Sequence, residues 1–463
     1  QAKVLNGTIP FPVLAVPKLL SYKREDDWQT VIEILYTNDS DVEEKIKTVI
    51  DQISEELLLF LNNIEEIELV VNGVLSSFKS TKVTHEHWTE IKINNKKINV
   101  DSGFIVFNKK TYPNFLKLIK ELDVPFQNSS MSFSVQSKLN GLEYNGNNFN
   151  TLFSQRKNIF NIRFWIMIWE ILKFNRLGKK LLKTPASQIK NITIEEFLST
   201  YNFSNYFMTN YLLPMTSAIW SSSFKDVKKF SLLFFLRFLN NHGMINVNDR
   251  PQWLTIKNGS KTYVDQIIKK LNGSIILNAN IQSIIKNGKK CIVQTKKKNY
   301  SFDHVFFACH ADQALKLIKK PTSIQKKILG QFAYAKNSAL LHRDSSLMPN
   351  SKRAWAAWNY HVDKKLISDV TVTYNMNILQ SIKTKSDLMV SLNIDNKINN
   401  KKILKKITYE HPTFNLKTFA AQKKQKLLCN GYFAFAGAYW GNGFHEDGVV
   451  SALNAIKFSG VNN

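Results

Sequence analysis

The chain has 463 residues, room for two or three domains of about 150 residues with a large core. Lys+Arg outnumber Asp+Glu by 63 to 36, a formal charge of +27, yet only 8 of the cations are Arg, and the lysine runs carry no interleaved aromatics, which excludes a recognisable nucleic-acid module. Three cysteines without ligand spacing exclude a disulfide scaffold and a zinc site, and no apolar stretch reaches the roughly 20 residues a bilayer span requires.

Lysine accompanied by abundant Asn and Ile is the signature of AT-rich coding sequence, so runs such as Lys296, Lys297 and Lys298 read as solvated surface, with attraction to an anionic membrane as the alternative. The charge is unevenly spread. Residues 1–84 hold 8 Lys+Arg against 14 Asp+Glu, a net of −6, which leaves +33 on the remainder. A seam between segments of different origin is expected there. Within this acidic α+β segment, Pro10, Pro12 and Pro17 punctuate an apolar opening and residues 30–36 alternate like a strand. Asp39 and Asp41 offer caps for an amphipathic helix running to Leu61, and residues 64–71 form a second strand. It weakly resembles a stretch from large proteins with a chaperone-type ATPase domain, but no nucleotide-binding box is present. No basic region followed by an apolar core opens the sequence, so a signal peptide is not expected and a cytoplasmic location is.

Residues 91–93 and 99–106 read as strands around an Asn94-Asn95 turn, and residues 111–122 as a helix with Pro113 in its first turn. Residues 150–240 are helix-rich and aromatic. An amphipathic helix follows Gly259-Ser260, then come short strands over 274–278, 281–286 and 290–295. A buried strand over 305–308 leads into a helix over 312–318, and further strands lie over 370–376 and 388–392. The last elements are a strand over 433–436, a glycine-loaded loop and a helix beginning near Glu446 or Asp447. A helix start behind Gly443 and beside Gly448 points free N–H groups and a partial positive charge at whatever docks there, commonly an anion.

Other enzyme classes lack their motifs: there is no G-x-S-x-G elbow, no Walker-type loop and no H-E-x-x-H helix. His242 and His310 have no paired metal ligand at short spacing, so no metal site is expected.

Eight segments occur in one order: Val100-Asp-Ser-Gly-Phe-Ile-Val-Phe-Asn-Lys-Lys-Thr-Tyr-Pro-Asn114, Gly141-Leu-Glu-Tyr-Asn-Gly146, Leu213-Pro-Met-Thr-Ser-Ala-Ile-Trp220, Asn241-His-Gly243, Asn248-Asp-Arg-Pro-Gln-Trp253, Ala308-Cys-His-Ala-Asp-Gln-Ala314, Trp355-Ala-Ala-Trp-Asn-Tyr360 and Gly441-Asn-Gly-Phe-His-Glu-Asp-Gly448. Together they resemble bacterial FAD-dependent, amine-oxidase-like oxidoreductases, a family commonly encoded beside cyclopropane-fatty-acid-synthase-like methyltransferases. The resemblance runs from about His87 to the C-terminus. It implies an α/β fold in which residues 85–140, 255–330 and 430–463 rebuild a Rossmann-like FAD-binding domain. Residues 141–254 and 331–429 would be an inserted α+β substrate domain. It further implies FAD as cofactor, hydride transfer from substrate to flavin, and an apolar, possibly fatty-acyl, small-molecule substrate.

The same resemblance supplies candidate roles. Asp101 and Gly103 would follow the early strands beside the flavin ring, Ile281 would lie on a strand that clasps the adenine through main-chain groups, and Gly437, Ala438, Gly443, Glu446, Asp447 and Gly448 would cradle the ribityl–pyrophosphate part. Tyr439 and Trp440 would shape the substrate slot, and His445 would either carry a proton or only hydrogen-bond its loop. The strand-end pair is Gly437-Ala438 where related proteins have Gly-Asp, which leaves Asp447 as a substitute carboxylate for the ribityl hydroxyls.

One element of the family is missing. A strand–G-x-G-x-x-G–helix turn should open the fold, but Gly7 and Gly73 are the only glycines before Gly103. Without that turn, weak FAD binding or none is expected, and a non-catalytic scaffold or interaction protein is the alternative reading.

Overall fold

The computed structural model describes residues 69–70, 88–93, 96–184, 192–220, 223–246, 250–363 and 371–460. The strand over 30–36, the helix after Asp39, nearly all of the strand over 64–71 and the Asn94-Asn95 turn lie outside them. Two compact units separate, residues 1–69 with 271–274 and residues 70–270 with 275–463, and the second carries everything that follows.

Strands β1 (Trp88–Ile93) and β2 (Lys96–Asp101) form an antiparallel hairpin with Trp88 opposite Asp101. The second strand stops at Asp101, short of the expected 106. After β3 (Phe107–Asn108), helix α1 (Pro113–Glu121) starts on a proline, whose fixed φ suits a first turn, and buries Phe115 and Ile119 four residues apart. Strand β4 (Phe126–Ser129) precedes the hairpin β5 (Phe133–Ser137) and β6 (Leu142–Asn145). The helical stretch includes α2 (Ile162–Lys183) and α3 (Leu232–Asn241). Strand β7 (Trp253–Ile256) pairs with both β3 and β4, and α4 (Lys261–Lys270) follows it.

Next come the meander β8 (Ile281–Asn287), β9 (Lys290–Thr295) and β10 (Asn299–Phe302), then β11 (Val305–Phe307) and α5 (Ala311–Leu317). The strand expected over 274–278 is shorter, Ile275–Ile276. Strands β12 (Ala333–His342), β13 (Trp358–Val362), β14 (Val372–Asn375), β15 (Met389–Leu392) and β16 (Ile403–Thr413) follow. The chain closes with β17 (Phe433–Phe435) and α6 (His445–Ser459), which ends at Gly460 in the left-handed conformation.

Two sheets organise the unit. A seven-stranded sheet runs β16-β12-β15-β14-β13-β5-β6, antiparallel except where β13 meets β5. It draws Phe133–Ser137 from a stretch that the sequence reading grouped with the flavin segments. Strands β11 and β17 pair in parallel, Val305 opposite Phe433, as a crossover from 305 to 433 requires. Each sheet has its own core. Helices α2 and α3 pack with the large sheet, while Phe307, Phe332, Phe433 and Phe435 gather around the parallel pair. A third core of Phe107, Phe115, Ile119, Leu254 and Ile256 joins α1 to β7.

Helix α2 approaches α3 through Gly178, where a Cβ would stand 2.8 Å from Leu236 Cδ2 and 3.0 Å from Ile245 Cδ1. Gly178→Val should therefore overpack this crossing and lower stability by about 1–3 kcal/mol, measured by urea denaturation. An unchanged midpoint would show that the two helices can part at no cost.

Candidate active site

A cavity of about 1330 Å³ lies between the core of the large sheet and the core that joins α1 to β7. One edge is backbone and small residues: Gly103, Ala438, Gly443 and Gly448. Its walls are aromatic, with Tyr144, Tyr211, Trp220, Phe238, Trp358 and Tyr374 among them. Burial raises the phenols of Tyr144, Tyr211 and Tyr374 above their ordinary range, so they stay protonated and cannot serve as bases near neutrality.

The C-terminal loop forms the small-residue edge for a local reason. Gly443 has φ +93°, a conformation that disfavours side chains, and donates its N–H to Ala438 O at 3.1 Å. A Cβ on Gly448 would meet no atom within 4 Å, so that face of α6 is bordered by open space. Among the described residues nothing accepts from the N–H groups of Glu446 and Asp447, in the first turn of α6. An anionic edge could dock there.

The carboxylates are spoken for. Asp101, expected beside the flavin, is fully buried and lies off the cavity. It accepts from Ser260 N at 3.0 Å, from Ser260 Oγ at 3.1 Å and from Gln380 Nε2 at 3.0 Å, which ties β2 to the start of α4. Glu446 accepts from Asn114 N, Asn114 Nδ2 and Phe115 N, capping α1 where the helix dipole favours an anion. Asp447 accepts from Phe444 N at 2.9 Å and packs against Gly441, where a Cβ would collide with it. Burial lifts its pKa to about 6. None of the three carboxyl groups lines the large cavity, although Glu446 and Asp447 line a smaller adjoining one of about 310 Å³, and each stabilises a turn or helix start nearby.

The expected slot aromatics also lie elsewhere. Tyr439 and Trp440 turn into the core of the parallel pair, 4.8 and 5.1 Å from the Phe332 ring, and do not line the cavity. The reason is steric: the Tyr439 ring lies over Gly437, so a Cβ there would clash with it. Ile281 opens β8, opposite Thr295, and also stands off the cavity. His445 does line it. Its ring stacks on Phe104 at 3.5 Å and its Nε2 meets Tyr263 Oη at 2.9 Å.

Several contributors escaped the sequence reading. Gln380 and Tyr263 carry no motif, and Ser102 Oγ bonds Tyr409 Oη at 2.8 Å, binding the cavity edge to β16. Gly259-Ser260 was visible as a helix start, but nothing local announced that the Ser260 N–H and hydroxyl face Asp101. His242 lines the cavity between the rings of Phe238 and Trp253. Its Nδ1 lies 2.9 Å from Phe238 O, so the proton sits on Nδ1 and Nε2 carries the lone pair. Burial lowers its pKa, keeping the ring neutral.

Burial raises Asp101 from 3.8 to about 7. Between those values the folded protein keeps a proton that the unfolded chain has lost, so this group's contribution falls as pH rises, by up to roughly 4 kcal/mol in total. Asp101→Asn cannot titrate, and its stability relative to the parent should climb from pH 4 to pH 7.5 in paired thermal melts. A difference that stays flat across that range would contradict the buried, proton-holding carboxylate.

The sequence profile of the flavin containing amine oxidoreductases matches residues 92–340, more than half of the chain. No curated protein matches it. Solved structures share the fold at low identity. Cyclohexylamine oxidase from Brevibacterium oxydans IH-35A aligns with a TM-score of 0.55 and 11% identity, over 82% of this chain and 91% of that one. A CLA-producing fatty acid isomerase from P. acnes aligns at 0.56 and 10%, over 81% and 90%. Putrescine oxidase bound to putrescine gives 0.52 and 11%, over 81% and 90%. The chain belongs to the flavin containing amine oxidoreductases, an oxidoreductase family with a Rossmann-like fold and FAD as its cofactor.

Proposed function

We propose that this protein is an FAD-dependent oxidoreductase that oxidises an apolar, chain-like substrate of the fatty-acyl kind. The observation that carries the reading is the continuity of one large, aromatic-walled cavity with the glycine-bordered edge at Gly103 and Gly448. FAD, when bound, supplies the acceptor for a hydride taken from a substrate C–H bond, with oxygen or another acceptor taking the electrons onward. The residues around it fit the ring end of that cofactor: open space beside Gly448, unanswered N–H groups at the start of α6, and the Phe104–His445 stack as a flat wall. Gly103, Ala438, Gly443 and Gly448 would form its cradle.

Substrate-side chemistry falls to the walls. The protonated phenols and indoles exclude water, and His242 Nε2 can accept a proton released by the substrate. Arg250 and Lys405 also line the cavity, and neither has an acidic partner among the described residues, which suits a substrate with an anionic end. A fatty acid isomerase among the structural neighbours is compatible with an acyl substrate, although that likeness speaks for the fold only. Within this reading residues 85–140, 255–330 and 430–463 serve the cofactor, apart from the β5 strand, and residues 141–254 and 331–429 serve the substrate.

A second reading, a scaffold that has lost FAD, is favoured by one fact: no G-x-G-x-x-G turn exists in the sequence. Colour separates the two. The flavoenzyme should purify yellow with stoichiometric flavin that denaturation releases, and added FAD should raise its melting temperature. Gly448→Val should fold normally, since its side chain meets no atom, yet lose the flavin absorbance. Colourless protein that ignores added FAD would favour the scaffold. Anaerobic addition of fatty acids or acyl lipids should bleach bound flavin; bleaching no faster than that of free flavin would remove the acyl assignment while leaving the cofactor assignment standing.

A further inference from the structure

Fourteen large apolar side chains are exposed among the described residues, and eight of them fall between Phe149 and Leu172. They form one face. On α2, Ile162, Trp165, Ile166, Trp169 and Leu172 recur every three or four residues and point outward, while Phe164, Met167, Phe174 and Gly178 on the opposite side are buried. Phe160, 90% exposed, and Phe149, 70% exposed, extend the patch beyond the helix start. An apolar face this concentrated is unusual for surface that meets only water.

The same side of α2 changes character along its length. Past Leu172 the outward positions become Lys173, Arg176, Lys179, Lys180 and Lys183. Arg176, Lys179, Lys180 and Lys183 have no acidic partner among the described residues. The only acid of the helix, Glu170, is buried, and its carboxylate is taken up by the N–H and hydroxyl of Ser204. The outward face is therefore apolar and indole-rich at one end, cationic at the other, and without negative charge.

We propose that this face docks the protein onto the surface of an anionic phospholipid bilayer. Aromatic and aliphatic side chains would enter the headgroup–acyl boundary while the cations meet lipid phosphates. The helix would lie in the interface, since no helix among the described residues is long and apolar enough to cross a membrane. A second copy of the chain fits less well, because a face without carboxylates cannot answer its own cations. Gly146 and Asn147 line the cavity, and Phe149 follows two residues later. Resting on the acyl-substrate reading, docking would bring the cavity lining beside the lipid pool; the docking itself needs neither flavin nor turnover.

Co-sedimentation of the full chain with vesicles tests this. Phosphatidylcholine vesicles containing phosphatidylglycerol should bind it, and pure phosphatidylcholine should bind it about tenfold or more weakly. The exposed triple substitution Phe160→Ser, Ile162→Ser and Trp169→Ser should weaken binding by about tenfold or more with an unchanged melting temperature. Lys179→Gln, Lys180→Gln and Lys183→Gln together should abolish the preference for the anionic lipid. Lys296→Gln, Lys297→Gln and Lys298→Gln together should change nothing. Absence of vesicle binding overturns the proposal. So does an equal loss from the last variant, which would mean unspecific charge attraction. A solution dimer that the triple substitution dissociates, without vesicle binding, would assign the face to a second copy.

Discussion

A carboxylate with no solvent exposure holds the site together. Asp101 stands at the end of β2, and its oxygens gather Ser260 at the head of α4 and Gln380 shortly after β14, 159 and 279 residues away. Its own N–H returns a bond to Gln380 Oε1 at 2.8 Å. A buried carboxyl group with this many hydrogen-bond partners is costly to strip of any one of them. The next residues, Ser102 to Val106, form the cavity edge. Their position is inherited from a clasp that never touches the ligand space.

That division of labour extends to the other acids. Glu446 caps α1 and Asp447 closes the loop in front of α6, so acidic side chains serve helix starts and turns around the cavity. What faces inward is mostly neutral or positive: protonated phenols, a neutral His242, Arg250 and lysines, with Glu410 the one acid of the described lining, 3.8 Å from Lys336 Nζ. A pocket built this way suits an anionic ring edge or acyl head, and its apolar walls strengthen each polar contact made inside it. Asp101, Glu446 and Asp447 stand outside the large cavity's lining, where they set shape.

Much of the architecture was legible because it rests on local periodicity. The β1–β2 hairpin, α1 with its leading proline, the β8 and β9 strands and the β17–loop–α6 ending all follow from alternation, helical spacing and glycine placement. The site was legible only in part. Gly103, Ala438, Gly443, His445 and Gly448 do border the cavity, since backbone approach needs small residues wherever the ligand is. The partners of Asp101, Glu446 and Asp447 were not legible, because a carboxylate's partner is chosen by tertiary packing; nothing near Asp101 in sequence reveals Ser260 or Gln380. The placement of Tyr439 and Trp440 in the core around Phe332 was equally hidden, since an aromatic pair beside a glycine loop looks the same whether it faces ligand or core.

The stack of His445 on Phe104 joins residues 341 positions apart, and the Glu446 cap of α1 spans a similar distance. During synthesis, the strands and helices that make up most of the cavity wall leave the ribosome long before the loop that completes it. Until α6 emerges, α1 has an uncapped start and the aromatic wall stands open to water. The nascent chain therefore passes through a long interval with its most apolar surface uncovered, a state that favours aggregation or chaperone capture. Ligand space and a native-like core are finished in the same last step, so a defect in the final helix would be read by the cell as a folding failure before it could be read as a loss of activity.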